Sequence, residues 1–191
     1  MSKKLTEIRW HGRAGQGVVT AGKLLAETAL EMGEYFQAFP DYGPERSGAP
    51  IRAFTRLSDQ PINLYSQIDE PDVVVVLDLT IIGSVDVTEG LKEGGVLIVN
   101  TAMDPQEVRS RLNLKDGRVV TVDASHIAME ELGRDITNAP MLGALATATG
   151  LFELSDIITQ TRRRFEKKLS PEVVEANVRA IERAAKETKE G

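Results

Sequence analysis

The chain has 191 residues, 41% hydrophobic and 27% charged, with a formal net charge of −6 and no cysteine. That length suits one globular domain with its own core, and the acidic balance argues against a nucleic-acid platform. Without thiols the chain forms no disulfide and holds no cysteine-ligated iron–sulfur cluster, and its two histidines alone make no metal site.

No apolar run approaches a membrane span, and the start of the chain lacks the apolar core of a signal peptide. The expectation is a cytoplasmic protein with no membrane partner. In chain order, Ile8-Arg9-Trp10-His11 reads as a short strand. A helix is expected over 17–32, because Val18, Ala21, Leu25, Thr28 and Met32 recur at helical spacing and Gly33 suits a C-terminal cap. The aromatic-rich stretch 35–39 reads as a second strand. Residues 40–50, with three prolines and two glycines, read as a loop, and the alternating stretch 51–57 as a half-buried strand.

Stretches 72–78, 96–100 and 119–123 are runs of β-branched and aliphatic residues, the mark of strands covered on both faces. Helical segments separate or follow them. The last third reads as helical: Asn138-Ala139-Pro140 opens one helix through about Phe152, Ser155 caps the next, and Ser170-Pro171-Glu172 starts the last. In that last helix Val174, Val178, Ile181 and Ala185 share a face, and the charged tail 186–191 is expected to fray. The fold class is therefore α/β: a mostly parallel or mixed sheet flanked by helices, Rossmann-like, with a helical C-terminal third. No repeat or linker divides the chain, so 1–191 is expected to form a single domain.

The stretch His11-Gly12-Arg13-Ala14-Gly15-Gln16-Gly17-Val18-Val19-Thr20 places three glycines where a strand hands over to a helix. It approaches G-x-G-x-x-G, with Thr20 in the last position. Two readings stand side by side. The glycines let a phosphate approach the helix N-terminus, or they form only a tight packing turn. The acid that holds a dinucleotide ribose is absent from its usual place, since the corresponding region reads Gln37-Ala38-Phe39-Pro40-Asp41. Lys23 is not in a Walker-type setting, which excludes a P-loop NTPase.

"HGRAGQGVVTAGKLLAETAL" followed by "FPDYGPERSGAPIRAFTRLSDQPI" resembles the gamma subunits of the 2-oxoacid:ferredoxin oxidoreductases, and most closely the branch acting on pyruvate. The resemblance covers nearly the whole chain. The diagnostic element is "YGPERSGAPI", because glycine turns alone are common. One departure is Ala14, where many members carry glycine.

The resemblance implies one subunit of an assembly that oxidatively decarboxylates a 2-oxoacid with coenzyme A and reduces ferredoxin. Its partners would be alpha, beta and delta subunits. The cofactors of the complex would be thiamine diphosphate, Mg2+, [4Fe–4S] clusters and CoA, none bound by this chain alone. No catalytic residue is assigned here. Gly12, Gly15, Gly17 and Val18 are candidates for an anion or CoA contact. Tyr42, Gly43, Pro44, Glu45, Arg46, Ser47 and Gly48 are candidates for an interface or active-site edge, with Arg46 suited to a carboxylate or phosphate.

Other 2-oxoacids (2-oxoisovalerate, indolepyruvate or 2-oxoglutarate) and a free-standing dinucleotide-binding protein are the alternatives. Asp78 closes a central strand where α/β folds place ligands. His126 reads as structural, and His11 has no evident partner. Arg162-Arg163-Arg164 reads as a solvated face with a secondary option of steering ferredoxin. Residues around Tyr42, 48–50 and 141–143 are expected to form an exposed apolar patch.

Overall fold

Val73, Val74, Val75 and Val76 are all buried, and they build the strand at the middle of the fold. Val73 and Val75 enter one apolar core while Val74 and Val76 enter another, as a strand with period two must when both faces are covered. The structure, a computed structural model, describes residues 5–41 and 48–191. In the described residues the strands are β1 (Leu5–Arg13), β2 (Tyr35–Asp41), β3 (Pro50–Ser58), β4 (Val73–Val76), β5 (Val96–Asn100), β6 (Arg118–Val122) and β7 (Lys189–Glu190). They form one seven-stranded sheet in the order β2-β3-β1-β4-β5-β6-β7. β1, β4, β5 and β6 run parallel, whereas β3 is antiparallel to β1 and β2, and β7 is antiparallel to β6.

Helices α1 (Val18–Glu31), α3 (Ala124–Leu132), α4 (Asn138–Thr149), α5 (Leu154–Phe165) and α6 (Pro171–Glu187) pack over one face. Their core includes Trp10, Leu25, Ile98, Leu145 and Ile181, each with no exposed surface. α1 lies close on the sheet because Gly22 faces Trp10 and Thr55, and the Trp10 indole N–H donates to Thr55 Oγ1 at 3.0 Å. α4 is apolar all round and buried along almost its whole length, between the sheet and α6. Gly143 permits that sandwich: a Cβ there would sit 2.2 Å from the Ile181 carbonyl oxygen. Bulk at Gly143 would push α4 and α6 apart.

The other face is covered unequally. Over β4, β5 and β6 it is sealed by Ile81 of a short 3-10 turn (Leu79–Ile81), by Val87 and by Val108 of α2 (Pro105–Leu112). Over β1 and β3 irregular chain does the covering, and buried arginines satisfy it. Arg9 donates to the carbonyls of Val87 and Glu89, and Arg56 to that of Gln67 at 3.2 Å and to the Glu7 carboxylate at 2.9 Å. The two side chains are at most 3% exposed. Coil carbonyls need donors when water is excluded, and a guanidinium supplies several in a fixed fork.

The expected α/β class and the main strands and helices are present, with several corrections. β2 continues through Pro40 to Asp41, because an edge strand tolerates a missing N–H and Asp41 pairs with Arg52 across the ladder. The tail does not fray. Lys189 and Glu190 pair with β6, and Gly191 exchanges backbone hydrogen bonds with Val119. α4 ends at Thr149 with Gly150 as its left-handed cap, and Glu153 rather than Ser155 caps α5. Ala184, not Ala185, completes the buried face of α6. Met141 and Leu142 are core residues at 0% and 2% exposure, so the expected apolar patch does not include them.

Candidate functional site

Four chain segments meet at one edge of the sheet. β1 and β4 both end there, β2 ends there at Asp41, and β3 begins there at Pro50 opposite Arg13. The glycine corner, residues 12–17, therefore lies at the carboxyl ends of the parallel strands, where open α/β sheets bind ligands. Its three glycines do different work. Gly12 is a packing glycine, since a Cβ would meet Val18 Cγ2 at 2.6 Å. Gly15 adopts φ +98° with nothing within 4 Å of a would-be Cβ, so its need is conformational alone. Gly17 caps α1 at φ +81°, and a Cβ would press on the Asn138 side chain at 3.1 Å.

Val18 has no exposed surface, backbone included, so of the candidate contacts here it is the one the fold closes off. The N–H groups of Gly17, Val18, Val19 and Thr20 have no hydrogen-bond partner among the described residues, whereas Ala21 already bonds back to Gly17. Unpaired N–H groups and the helix dipole give this end of α1 a positive character. No acidic side chain occupies the first turn to offset it.

The corner is held rigidly from the sheet side. Gln16 Oε1 accepts from the Arg13 N–H at 2.7 Å, and its Nε2 donates to Asp78 Oδ2 at 2.8 Å. Arg13 approaches Asp78 at 3.2 Å and donates to Thr80 Oγ1 at 2.9 Å. Asp78 caps the 3-10 turn by accepting from the Thr80 N–H and hydroxyl. Burial pushes the Asp78 carboxyl up, but hydrogen bonds from Thr80 and Gln16, with the Arg13 charge, outweigh it and hold Asp78 below its ordinary value. Asp78 is thus an ionised brace whose oxygens already accept from Gln16 and Thr80.

Arg13 Nη1 also donates to the Gly48 carbonyl at 2.8 Å, and the Ala14 N–H to the Ala49 carbonyl at 3.1 Å. Those bonds join the glycine corner to the end of the second motif. Tyr42, Gly43, Pro44, Glu45, Arg46 and Ser47 lie outside the described residues. Of their flanks, Gly48 is bonded to Arg13 at the corner, and Asp41 ends β2 on the far side of β3.

His11 does have a partner. Arg9 Nε donates to His11 Nε2 at 3.0 Å, which assigns the ring proton to Nδ1. Burial, then the charges of Arg9 and Arg52, pull His11 down to about 3, with Asp86 opposing. The ring is neutral at physiological pH and serves as an acceptor for a buried arginine. His126 is exposed on the first turn of α3, 3.4 Å from Glu130. Arg162, Arg163 and Arg164 pair with Glu175, Glu31 and Glu27, which leaves little unpaired charge for steering an acidic partner.

Sequence reading missed Arg13, Gln16, Thr80 and Asn138. Asp78-x-Thr80 carries a local signal, the pattern of a side chain capping a backbone N–H two residues on. Asn138 carries none toward Gly17, because the contact joins the starts of two helices far apart in the chain.

The fold and corner define an α/β subunit-type domain, and comparison with known proteins names its family. The family described as pyruvate ferredoxin/flavodoxin oxidoreductase matches residues 7–187, and the chain belongs to that family. It is similar to pyruvate synthase subunit PorC of Thermotoga maritima, 49% identical over 189 residues, covering 99% of this chain and 97% of that one. It is similar also to the pyruvate/ketoisovalerate oxidoreductases common subunit gamma of Thermococcus kodakarensis, 50% identical over 184 residues, covering 96% and 97% of the two chains. The crystal structure of the Thermotoga maritima pyruvate oxidoreductase subunit PORC superposes with a TM-score of 0.85 at 48% identity, covering 98% of this chain and 99% of that one.

Proposed function

We propose that this chain is the gamma subunit of a pyruvate:ferredoxin oxidoreductase. The complex would convert pyruvate and CoA to acetyl-CoA and CO2, passing two electrons to ferredoxin and releasing a proton. The observation that carries this reading is the end-to-end match to PorC, at about half identity and with the same fold. Ferredoxin and CoA are soluble reactants, so a cytoplasmic complex with alpha, beta and delta subunits belongs to the reading.

The cofactor chemistry belongs to those other subunits. The chain has no cysteine to ligate a cluster. What the chain contributes is a braced edge. The glycine corner offers N–H groups to an anion, with a phosphate of CoA as the preferred occupant, and residues 42–48 border the partner subunits. A dinucleotide site is disfavoured because β3 lies between β1 and β2. The end of β2 is therefore two strands, about 10 Å, from the corner that would hold the pyrophosphate.

The relative named as a subunit common to pyruvate and ketoisovalerate enzymes supports assigning substrate choice to other chains. Purification of the native complex through a tag on this chain tests the reading. The expected result is co-purifying subunits with clusters and thiamine diphosphate, and ferredoxin reduction that requires CoA and is faster with pyruvate than with 2-oxoisovalerate, indolepyruvate or 2-oxoglutarate. A chain that purifies alone and binds a nicotinamide dinucleotide would contradict it.

A further inference from the structure

Exposed apolar surface is concentrated at one edge of the sheet. Among the described residues eight large hydrophobic side chains are exposed, and six of them, Leu30, Met32, Tyr35, Phe36, Leu64 and Tyr65, surround β2. β2 is the edge strand: β3 lies on its inner side, and no described strand lies on its outer side.

The six residues flank that edge on both faces. Phe36 pairs with Leu57, a core residue beneath α1, so Phe36 shares the helix face with Leu30 and Met32 at the end of α1. Tyr35, one residue earlier, takes the opposite face. There the Gln37 amide donates to the Ile62 carbonyl at 3.4 Å, and Arg56 donates to the Gln67 carbonyl at 3.2 Å. Those bonds hold the coil 62–67, and with it Leu64 and Tyr65, against β2 and β3. Tyr65 is 92% exposed.

An exposed strand edge is ordinarily guarded by charge, a bulge or a cover. Residues 35–39 carry no charge, and the register against β3 runs without a bulge from Tyr35 to Asp41. The nearby Glu27 and Glu31 are already paired with Arg164 and Arg163. Pro40 alone interrupts the edge, and it also sets a register. With no N–H to give β3, it takes the outward-facing position of the alternating ladder, and Phe36 and Ala38 then turn their N–H and C=O groups outward.

We propose that a second copy of this chain adds its own β2 antiparallel to this one, about a two-fold axis through Gln37. Phe36 of each copy exchanges both backbone bonds with Ala38 of the other, and Pro40 falls opposite Glu34, outside the bonded pairs. Tyr35 meets Phe39 of the other copy on the coil face, an aromatic cross-strand pair made twice. A two-fold contact must match a surface to itself, and this edge can. Its bonded and aromatic pairs all come from the uncharged stretch 35–39, and the two Glu34 carboxylates stand about 20 Å apart, beyond the screening length. At roughly 200 Å² per large side chain, the exposed parts of the six residues offer about 600 Å². The backbone edge brings that close to the roughly 800 Å² per copy of a stable dimer. The contact is independent of the reaction that the complex performs.

Sedimentation of the full-length chain tests the proposal. The expected result is a dimer with a Kd at or below about 10 μM. Phe36→Asp and Tyr65→Asp should each raise that Kd at least about tenfold, and Tyr65→Asp, at the more exposed position, keeps the test valid if Phe36→Asp fails to fold. Because the chain has no cysteine, a single introduced thiol reports the register. Gln37→Cys, on the axis, should give a disulfide-linked dimer under mild oxidation, whereas Met129→Cys, exposed on α3, should not. A chain that stays monomeric at about 100 μM, a dimer that neither aspartate weakens, or a dimer that Gln37→Cys does not cross-link overturns the proposal. Cross-linking of the Gln37→Cys variant to a different subunit in the purified complex, and not to a second copy, also overturns it and gives the edge to that subunit.

Discussion

The two halves of the sheet solve the same burial problem in opposite ways. Across β4, β5 and β6 both faces meet apolar side chains, and the strands are parallel. Across β1 and β3 one face meets α1, while the other carries Glu7, Arg9, His11, Arg52 and Arg56 beneath irregular chain. The apolar half is held by close packing, which tolerates small changes of shape. The polar half is held by charge-assisted bonds to coil carbonyls, which fail sharply when one member is lost. The glycine corner is attached to the polar half. A scaffold of directional bonds fixes orientation more tightly than non-directional contact, and that suits an edge that must present N–H groups in a set geometry.

The largest expected effect lies in the polar half. Arg56→Met should cost about 3 kcal/mol in denaturant unfolding, because the partly buried Glu7 carboxylate keeps only Lys92 at 3.7 Å and the Gln67 carbonyl loses its donor. Adding Glu7→Gln should restore part of that loss. Additive single and double variants would show that the pair is not a unit and would break the contrast between the halves.

His11 supplies a pH test of the same half. Its folded value of about 3 lies below the ordinary 6.5, so the unfolded chain binds the proton more readily. Stability from this group is fully present above 6.5 and is lost as pH falls toward about 3. Between about pH 7 and about pH 5 the loss should be about 2 kcal/mol, and His11→Gln should remove most of that slope. An equal slope in His11→Gln would mean that the ring is not held neutral by its burial and by the Arg9 and Arg52 charges. In the apolar half, Ile98→Val should cost only about 1 kcal/mol at any pH, measured by the same unfolding curves. A cost as large as that of Arg56→Met would erase the distinction.

The same contrast explains what was legible beforehand. The runs at β4, β5 and β6 could be read directly, because burial on both faces leaves an unbroken apolar signature. The antiparallel insertion of β3 beside β1 could not, since pairing across the sheet leaves no mark on either strand alone. For residues 138–144 the sequence favours close helix packing, with a subunit contact as the alternative; Gly143 against Ile181 bears out the packing, and only the exposed patch expected at 141–143 fails. β7 is two charged residues with no periodicity at all. At the site, the glycines were visible as a cluster, but their separate tasks follow from φ values and neighbours. Gly12 packs, Gly15 bends and Gly17 makes room for Asn138.

Gly15 gives the most direct test of whether the corner is a binding edge or only a turn. A methyl group there meets nothing within 4 Å, so the strain of its positive φ is the only local penalty, about 1–2 kcal/mol. The CoA dependence of ferredoxin reduction should therefore be measured in the assembled complex carrying Gly15→Ala, alongside its subunit composition. The account predicts an intact complex whose KM for CoA rises at least about fivefold while the KM for pyruvate is unchanged. An intact complex with an unchanged KM for CoA would contradict it.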